Sequence, residues 1–286
     1  MLASFYKYQG TGNDFILFNN ISGEFSNLSQ ATINHLCNRN FGIGADGLML
    51  INKKDGYDFE MVYYNSDGKA GSMCGNGGRC IVQFANDIGI KKYTYKFIAS
   101  DGEHEAEIDI DGTIRLKMQD VNAVDEQLDF SLVNTGSPHY IIFVQNVKSI
   151  DVLTKGHEIR YSKDFAENGI NVNFVELLDK ETIYVRTYER GVEAETLSCG
   201  TGVTAAALLC AHNNPGFNRV AIKTPGGSLS VEFNKTDNRY SNIWLCGPAN
   251  FSFKVKLFAA VVDYMSIPKK IYFMLQRMYC ITGKIQ

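Results

Sequence analysis

The chain repeats itself at an offset of about half its length, and this repeat limits the folds open to it more than any other feature. The segments MCGNGGRCIVQFA and SCGTGVTAAALL each join a Cys-Gly-polar-Gly motif to a run that is typical of a helix. Their cysteines, Cys74 and Cys199, lie 125 residues apart, and Gly102 and Gly227 each follow their own cysteine by 28 residues. Both glycines stand between two runs that are typical of strands joined by a tight turn.

Further matches extend the repeat upstream of the cysteines. GNDFILF at Gly12 corresponds to GSPHYIIF at Gly136, and Tyr64 of YYNSDG corresponds to Tyr188 of TYERG, each at an offset of 124 residues. Because the matches keep one order and nearly one offset, they indicate a duplication. We therefore predict two similar domains and a C-terminal extension, with the boundaries 1–120, 121–250 and, for a return strand with an extra tail, 251–286.

The fold class follows from the apolar patterns within each half. Alternating apolar runs such as LMLI, EMVYY, VNFVEL and IYVRTY indicate that both halves are rich in strands. The runs Cys80 to Ala85 and Val203 to Ala211 are apolar on most faces, which is typical of a helix that is buried on all sides. The predicted fold is α+β, with two pseudo-symmetric domains, each a β-sheet wrapped around a central helix. In the tail, Pro268 is well placed to open a helix that runs to about Tyr279.

Composition and charge argue against several classes of function. With 28 basic and 31 acidic residues, a net charge of -3 and no basic run, the chain offers nothing that attracts nucleic acid or an anionic membrane. We see no signal peptide and no apolar stretch near the ~20 residues of a membrane-spanning helix. Seven cysteines, an odd count without a CxxC pair, argue against a disulfide framework and a structural zinc site. We expect a reducing cytoplasm as the location.

The two repeated cysteines carry the chemistry. Cys74 and Cys199 stand directly before Gly-x-Gly at the start of a predicted helix. Free backbone N–H groups and the positive end of the helix dipole gather there, so we expect the thiol pKa to fall below its usual value of about 8.5. The same N–H groups suit a carboxylate. Two such helix starts around one cavity would place a thiol on each face of a carbon, as inversion of a stereocentre by proton removal and return requires. The helix starts would also stabilise the carbanion, so no pyridoxal cofactor is needed.

Simpler interpretations compete for each of these residues. Buried cysteines commonly serve as small apolar residues, and we favour that role for five of them: Cys37, Cys80, Cys210, Cys246 and Cys280. Asn13 and Asn65 have a plain alternative as turn formers, and His139 as a hydrogen-bonded core residue. Glu189 and Arg190 have one as a solvated surface pair. The Gly-x-Gly elements match neither a dinucleotide fingerprint nor a phosphate-binding loop.

The motifs reached so far resemble those of a known family, the diaminopimelate epimerases, from about Phe5 to Phe253. Eight of them occur in that family's order: GTGNDF at Gly10, GIGADG at Gly42, YNSDG at Tyr64, MCGNGGRC at Met73, GSPH at Gly136, YERG at Tyr188, ETLSCGTG at Glu195 and PGGSL at Pro225. The resemblance implies an active site in the cleft between the two domains. It also implies a cofactor-independent, homodimeric enzyme that interconverts LL- and meso-diaminopimelate in lysine and peptidoglycan precursor biosynthesis.

The resemblance also assigns roles to residues. Cys74 and Cys199 become the acid/base pair, Glu189 helps to set the thiol protonation state, and His139 assists a cysteine. The implied substrate contacts are Asn13, Gly47, Asn65, Gly75, Asn76, Ser137, Asn171, Glu189, Arg190, Gly200 and Thr201. The backbone amides of the two helix starts would hold the reacting α-carboxylate. Arg190 would pair with the distal carboxylate, for which a guanidinium fork is the right partner.

Two departures and three alternatives qualify this prediction. Many family members carry glutamine where this chain has Gly47 and asparagine where it has Ser137, so substrate contacts at both positions are in doubt.

A proline or hydroxyproline racemase of the same two-cysteine type would need neither the asparagines nor Arg190. A related isomerase class keeps the fold but lacks the cysteine pair. A binding protein that has lost turnover is the third alternative, and nothing in the sequence indicates such a loss.

Overall fold

The computed structural model describes residues 2–71 and 73–258. This part of the chain forms seventeen strands, four α-helices and one 3₁₀-helix. The helix predicted from Pro268 to Tyr279, the rest of the tail beyond residue 258 and Cys280 lie outside the described residues.

The first half of the chain alternates strands with two helices. Its elements are β1 (Leu2–Gly10), β2 (Asn13–Asn19), α1 (Gln30–Cys37), β3 (Gly47–Asn52), β4 (Phe59–Asn65), α2 (Gly75–Asp87), β5 (Thr94–Ala99), β6 (Gly102–Ile108) and β7 (Ile114–Lys117). Ser29 caps α1, because its side chain accepts a hydrogen bond from the backbone N–H of Thr32.

The second half has a similar succession, with an added strand at its start, a 3₁₀-helix, a short strand before its second α-helix and one more strand at its end. Its elements are β8 (Asp125–Glu126), β9 (Ser131–Asn134), β10 (Pro138–Phe143), the 3₁₀-helix (Val147–Ser149), α3 (Val152–Arg160), β11 (Asn171–Leu177), β12 (Thr182–Glu189), β13 (Ala194–Thr196), α4 (Gly200–Leu208), β14 (Gly216–Thr224), β15 (Gly227–Thr236), β16 (Arg239–Gly247) and β17 (Asn250–Phe258).

Strand pairing has the same order in both halves. The first half runs β17, β1, β2, β3, β4, β5, β6, β7, and the second runs β8, β9, β10, β11, β12, β14, β15, β16. In each half the third and fourth strands of that order are parallel, as are the fifth and sixth, and a helix lies in each crossover. β7 pairs with β16 and joins the halves, while β17 returns to β1. The predicted α+β fold class is confirmed, and the boundaries at 120 and 250 stay predictions.

The central helices α2 and α4 lie in the core. Ten of the thirteen residues of α2 and eight of the nine of α4 are buried, and their apolar side chains share one cluster with the inner faces of the sheet. Such a helix is stable only when the sheet covers every face of it, because each large apolar side chain adds about 1.5–3 kcal/mol on burial. The wrap therefore holds both helix starts at fixed positions.

The structure corrects the predicted end of the second helix. The apolar run predicts a helix reaching Ala211, but α4 ends at Leu208. The chain leaves the helix because Asn218 binds the next turn: its Oδ1 accepts the backbone N–H groups of His212 and Asn213, at 2.9 and 2.8 Å. An apolar run alone carries no signal for this polar stop, which is set by a residue seven positions beyond the run.

Within the described residues, no helix has the length and the apolar character needed to cross a membrane. The six cysteines in this part of the chain are all free thiols: Cys37, Cys74, Cys80, Cys199, Cys210 and Cys246.

Candidate active site

The starts of α2 and α4 meet at the centre of the molecule. Cys74 is the N-cap residue of α2 and Cys199 that of α4, and both have extended backbones and no side-chain capping bond. The helices touch through their first residues, since a Cβ on Gly200 would lie only 3.1 Å from the Cα of Gly75. Any larger residue at either position would separate the two starts. The duplicated Cys-Gly motif thus builds one site from two helix ends.

Each thiol has polar partners, which include backbone N–H groups of its own helix start. The Cys74 thiol donates to the Oδ1 of Asn13 at 3.6 Å, and backbone N–H groups of Asn76 and Gly77 point at its sulfur. The Cys199 sulfur lies 3.5 Å from the Oγ1 of Thr201 and receives one backbone N–H from α4. These N–H groups have no partner within the helix, so they remain available for a thiolate or a carboxylate.

Burial overturns the predicted direction of the thiol pKa. It raises the pKa of Cys199 to about 12 and also raises that of Cys74, although the helix N–H groups pull in the opposite direction. The charge of Glu189 raises the pKa of both thiols further. The expected lowering is therefore wrong, because desolvation of the thiolate outweighs the helix start.

Glu189 lies near both thiols at the end of β12. Its own pKa is raised by burial, with a smaller contribution from the charge of Asp46, while the hydroxyl of Thr196 acts in the opposite direction. Because its charge bears on both cysteines, Glu189 is placed to favour the protonated form of whichever thiol is to act as the acid. This position fits the predicted role in thiol protonation, which remains a prediction.

His139 is fully buried beside the first turn of α4. Its Nδ1 lies 3.1 Å from the Nδ2 of Asn173, whose amide is oriented by the carbonyl of Tyr140 and the hydroxyl of Thr187. The amide nitrogen must therefore donate, so Nδ1 carries no proton and the ring is neutral with its proton on Nε2. No described residue bonds that Nε2. Burial, aided by the charge of Arg190, lowers the pKa of His139 to about 3.

A neutral buried histidine makes the stability of the protein depend on pH. The unfolded chain takes up a proton near pH 6.5 and the folded chain only near pH 3, so His139 contributes stability that is complete above pH 6.5 and is lost as the pH falls. Between pH 7 and pH 4.5 we expect this residue to lower the free energy of unfolding by about 2–3 kcal/mol. Urea denaturation of the protein and of His139→Asn at both pH values measures the difference. If the free energy of unfolding fell equally in both proteins between pH 7 and pH 4.5, the contribution assigned to His139 would be wrong.

Asp46 fixes the orientation of Asn13, and the sequence pattern gave it no role. The Nδ2 of Asn13 donates to the Oδ2 of Asp46 at 2.5 Å, which turns the amide oxygen toward Cys74. Arg39 binds Asp46 and Asp14 together, at 2.7 and 2.6 Å. An aspartate in a Gly-Ala-Asp-Gly segment is typical of a loop. Asp46 comes close to Asn13 only because β2 pairs with β3.

The side chain of Asn76 ties the two halves together. Its Nδ2 donates to the backbone carbonyl of Ser198 at 2.9 Å, and its Oδ1 accepts from Thr11 and Arg79. Since these bonds use both ends of the amide, a substrate contact from this residue is left to its backbone N–H. The family resemblance predicts that Asn76 binds the α-carboxylate through this backbone N–H.

Asn171 and Ser137 join three strand ends near Arg190. The Nδ2 of Asn171 donates to the Oγ of Ser137 at 2.8 Å, and its Oδ1 accepts the backbone N–H of Arg190 at 2.9 Å. The exposed guanidinium of Arg190 donates to the carbonyl of Asn168 at 2.9 Å and pairs with no acidic group among the described residues. Its remaining N–H groups are free to bind an anion.

Asn65 pairs with Gly47 at the end of β4, where the chain enters a turn. Its backbone N–H bonds the carbonyl of Lys69 at 2.9 Å, and its side chain is exposed without a hydrogen bond to any described residue. The turn accounts for the backbone of Asn65. It leaves the amide side chain free to bind a ligand.

Tyr63 occupies the place that a side chain at position 47 would take. A Cβ on Gly47 would lie 2.5 Å from the Cε2 and 2.9 Å from the hydroxyl of Tyr63. Burial raises the pKa of that hydroxyl, and the nearby charges of Cys74, Asp46 and Glu189 raise it further. Tyr63 therefore belongs to the site, although the sequence pattern places it simply on a strand. The contact predicted for Gly47 stays a prediction and is limited to its backbone.

We expect Gly47→Ala to destabilise the protein by about 1–3 kcal/mol, because the methyl group overpacks a filled site. Besides the ring of Tyr63, it would meet the backbone carbonyl of Tyr64 at 2.7 Å, which has no room to move within the paired strands. Gly77→Ala is the matched control, since its Cβ would meet the flexible end of Met49 at 3.3 Å and would be in ordinary contact with the Cβ of Cys74 at 3.6 Å. Urea denaturation measures both variants. A smaller loss for Gly47→Ala than for Gly77→Ala would contradict the packing.

No three His, Cys, Asp or Glu side chains of the described residues are grouped as ligands for a metal ion. The polar groups of the site are the two thiols, several amides, the carboxylates of Glu189 and Asp46, the hydroxyl of Tyr63 and the guanidinium of Arg190. This set suits an amino-acid ligand with carboxylate groups.

Both halves of the chain match one family model. Residues 5–124 and 131–252 match the model described as diaminopimelate epimerase. The diaminopimelate epimerase of Flavobacterium psychrophilum is 47% identical over 253 residues, which cover 88% of this chain and 99% of that protein. The diaminopimelate epimerase of Aquifex aeolicus is 34% identical over 281 residues, which cover 91% of this chain and 99% of that protein.

Solved structures share the fold at low sequence identity. A phenazine biosynthesis protein of the PhzF family from Bacillus anthracis has a TM-score of 0.68 at 14% identity, covering 90% of this chain and 99% of that one. A hydroxyproline epimerase from Agrobacterium vitis with bound trans-4-hydroxy-L-proline has a TM-score of 0.63 at 13% identity, covering 90% and 92%. At such identities the likeness is one of fold alone.

Proposed function

This chain belongs to the diaminopimelate epimerase family, and on that premise we propose that it interconverts LL- and meso-diaminopimelate by a two-cysteine, two-base mechanism. The observation that supports the mechanism most is the meeting of two helix starts, each capped by a cysteine and joined at Gly75 and Gly200. Such an arrangement offers one thiol to each face of a bound α-carbon.

The reaction proceeds by transfer of one proton at each thiol. A thiolate removes the α-proton from one face, and the opposite thiol gives a proton to the other face. Charge that develops on the α-carboxylate of the carbanion is stabilised by the free N–H groups of α2 and α4. In the reverse direction the thiols exchange roles. Glu189, near both sulfurs, favours protonation of the thiol that acts as the acid.

The remaining contacts are proposed to select the substrate. Arg190 binds the distal carboxylate, and the amides of Asn13, Asn65 and Asn171 bind polar groups of the diamino acid. The free N–H groups of Arg190 and the unbonded side chain of Asn65 support this assignment. Asn13 already lies against Cys74, so it is suited to contact the reacting centre.

The proposed context is that of the family. The protein acts without a cofactor, as a homodimer, in the cytoplasm, and its product serves lysine and peptidoglycan precursor synthesis. Its partner is the small amino-acid substrate, with neither nucleic acid nor membrane involved.

A direct comparison of substrates tests the proposal. The reduced protein is incubated separately with LL-diaminopimelate, L-proline and trans-4-hydroxy-L-proline, and the stereoisomers are resolved by chiral chromatography. We expect inversion of diaminopimelate only. Inversion of proline or hydroxyproline instead would overturn the substrate and leave the two-thiol mechanism in place. Inertness toward all three would overturn both.

A further inference from the structure

Arg79 lies in the second turn of α2. Its side chain is fully buried and is the largest among the fully buried side chains of the described residues. Its guanidinium reaches back to the start of the helix. It donates to the carbonyl of Gly75 at 3.2 Å, to Oδ1 of Asn76 at 3.0 Å and to the hydroxyl of Thr11 at 3.1 Å. A fourth bond reaches the carbonyl of Pro248 at 3.4 Å. Every one of these acceptors is neutral.

This position is unfavourable for a cation in three ways. The guanidinium has lost its water, it lies at the positive end of a helix dipole, and no described carboxylate pairs with it. Burial lowers the pKa of Arg79, but a guanidinium does not relieve the cost by losing its proton, because arginine stays protonated in proteins. A buried cation with only neutral partners indicates that an anion is present in the working state of the site.

The nearest groups able to become anions identify where the charge acts. The charged and titratable groups that face Arg79 are Cys74 at the start of its own helix, Cys80 on the same helix and Cys246 on β16. Of these, only Cys74 lines the site, directly next to Gly75, whose carbonyl Arg79 binds. Cys74 also faces Glu189, whose charge opposes that of Arg79, as well as the hydroxyl of Tyr63 and the thiol of Cys199.

The position of α4 that corresponds to Arg79 holds no cation. Arg79 follows Cys74 by five residues, and the residue that follows Cys199 by five is Thr204. Thr204 is equally buried, and its hydroxyl donates to the carbonyl of Gly200 at 2.8 Å, as Arg79 does to that of Gly75. The two helix starts therefore share the bond to their first carbonyl, and they differ by one positive charge.

We propose that Arg79 is a positioning residue that makes Cys74, and not Cys199, the first of the two thiols to ionise in the free enzyme. The proposal rests on the two-cysteine mechanism and deepens it, because it states which thiol is the resting base. Cys74 then removes the α-proton from the isomer whose proton faces α2, while Cys199 starts as the acid. Arg79 also holds Thr11 and Asn76 against the helix start, so the same side chain secures the loop that carries Asn13.

Alkylation of the two cysteines tests this without any turnover. The reduced, substrate-free protein reacts with iodoacetamide over a pH series, and peptide mass spectrometry gives the rate at Cys74 and at Cys199 separately. Because the thiolate is the reacting form, we expect Cys74 to react first and at lower pH. In Arg79→Gln we expect the ratio of the Cys74 rate to the Cys199 rate to fall by about tenfold or more.

Two further variants separate charge from packing. Arg79→Lys keeps the positive charge and is expected to keep the preference for Cys74, while Thr204→Val removes the corresponding bond in α4 and is expected to leave the ratio unchanged. Thermal unfolding confirms that each variant is folded. An unchanged ratio in folded Arg79→Gln would overturn the proposal. Should that variant fail to fold, equal pH midpoints for the two thiols in the parent protein, or loss of the preference in folded Arg79→Lys, would overturn it.

The result is independent of the substrate. A protein that is inert toward diaminopimelate but loses the Cys74 preference in Arg79→Gln would uphold the role of Arg79 and overturn the proposed reaction. If the protein epimerises diaminopimelate but the ratio of the Cys74 rate to the Cys199 rate is unchanged in Arg79→Gln, the proposed reaction is upheld and the role of Arg79 is overturned.

Discussion

Replacing either Cys74 or Cys199 by alanine is expected to lower kcat for epimerisation by about 10³-fold or more, because each thiol serves one face of the carbon and neither can serve both. The fold should survive each change. Neither side chain caps its helix, so the change costs only the long contacts of the Cys74 thiol with Asn13 and of the Cys199 sulfur with Thr201, together with the N–H groups that point at the two sulfurs.

Chiral chromatography after incubation with LL-diaminopimelate measures this loss. Cys210→Ala is the matched control: Cys210 follows the end of α4, and its raised pKa is due to burial alone. We expect that variant to retain most of the activity. If a folded Cys74→Ala or Cys199→Ala protein kept more than about a tenth of the parent rate, a single base would suffice and the two-base mechanism would be wrong.

Arg190→Gln is expected to lower kcat/KM for diaminopimelate by about 10²-fold, mainly through KM, because a charge-assisted pair contributes about 1.5–3 kcal/mol. The guanidinium is exposed and its only hydrogen-bond partner among the described residues is the carbonyl of Asn168, so the variant loses little structure. Its backbone N–H, which binds Asn171, is unaffected by the substitution.

Steady-state kinetics of Arg190→Gln test this prediction, with Arg239→Gln as the control. Arg239 is exposed at the start of β16 and pairs with no acidic group among the described residues. We expect the control to match the parent protein within about twofold, as surface substitutions generally do. A loss in kcat alone for Arg190→Gln, with KM unchanged, would mean that Arg190 acts in the chemical step and does not bind the distal carboxylate.

The fold could be predicted from the sequence because the duplication repeats the same pattern of strands and helix in both halves of the chain. Two strand-rich halves, each with an apolar helix directly after a Cys-Gly motif, permit few arrangements besides a sheet around a central helix. The starts of α2 and α4 follow the cysteines as expected. The end of α4 does not follow from the apolar run, because a distant polar side chain, Asn218, sets it.

Site residues that belong to a sequence motif could be predicted. Residues that reach the site only because two strands pair could not. Cys74, Cys199 and Glu189 lie together, as the motifs indicate. Asp46 and Tyr63 join them only through strand pairing, so no local pattern marks them. The sign of the thiol pKa also depends on burial, which a helix-start motif does not contain.

The most direct test of the two-base account is the fate of the α-proton in deuterium oxide. The reduced protein is given LL-diaminopimelate, and the reaction is sampled by NMR while little substrate has been converted. A thiol that has exchanged with solvent delivers deuterium from the face opposite to the one that lost the proton. We therefore expect meso product deuterated at the inverted centre and remaining LL substrate that still carries its proton. Meso product that keeps protium at that centre would contradict the account, because one base would then have carried the same proton across.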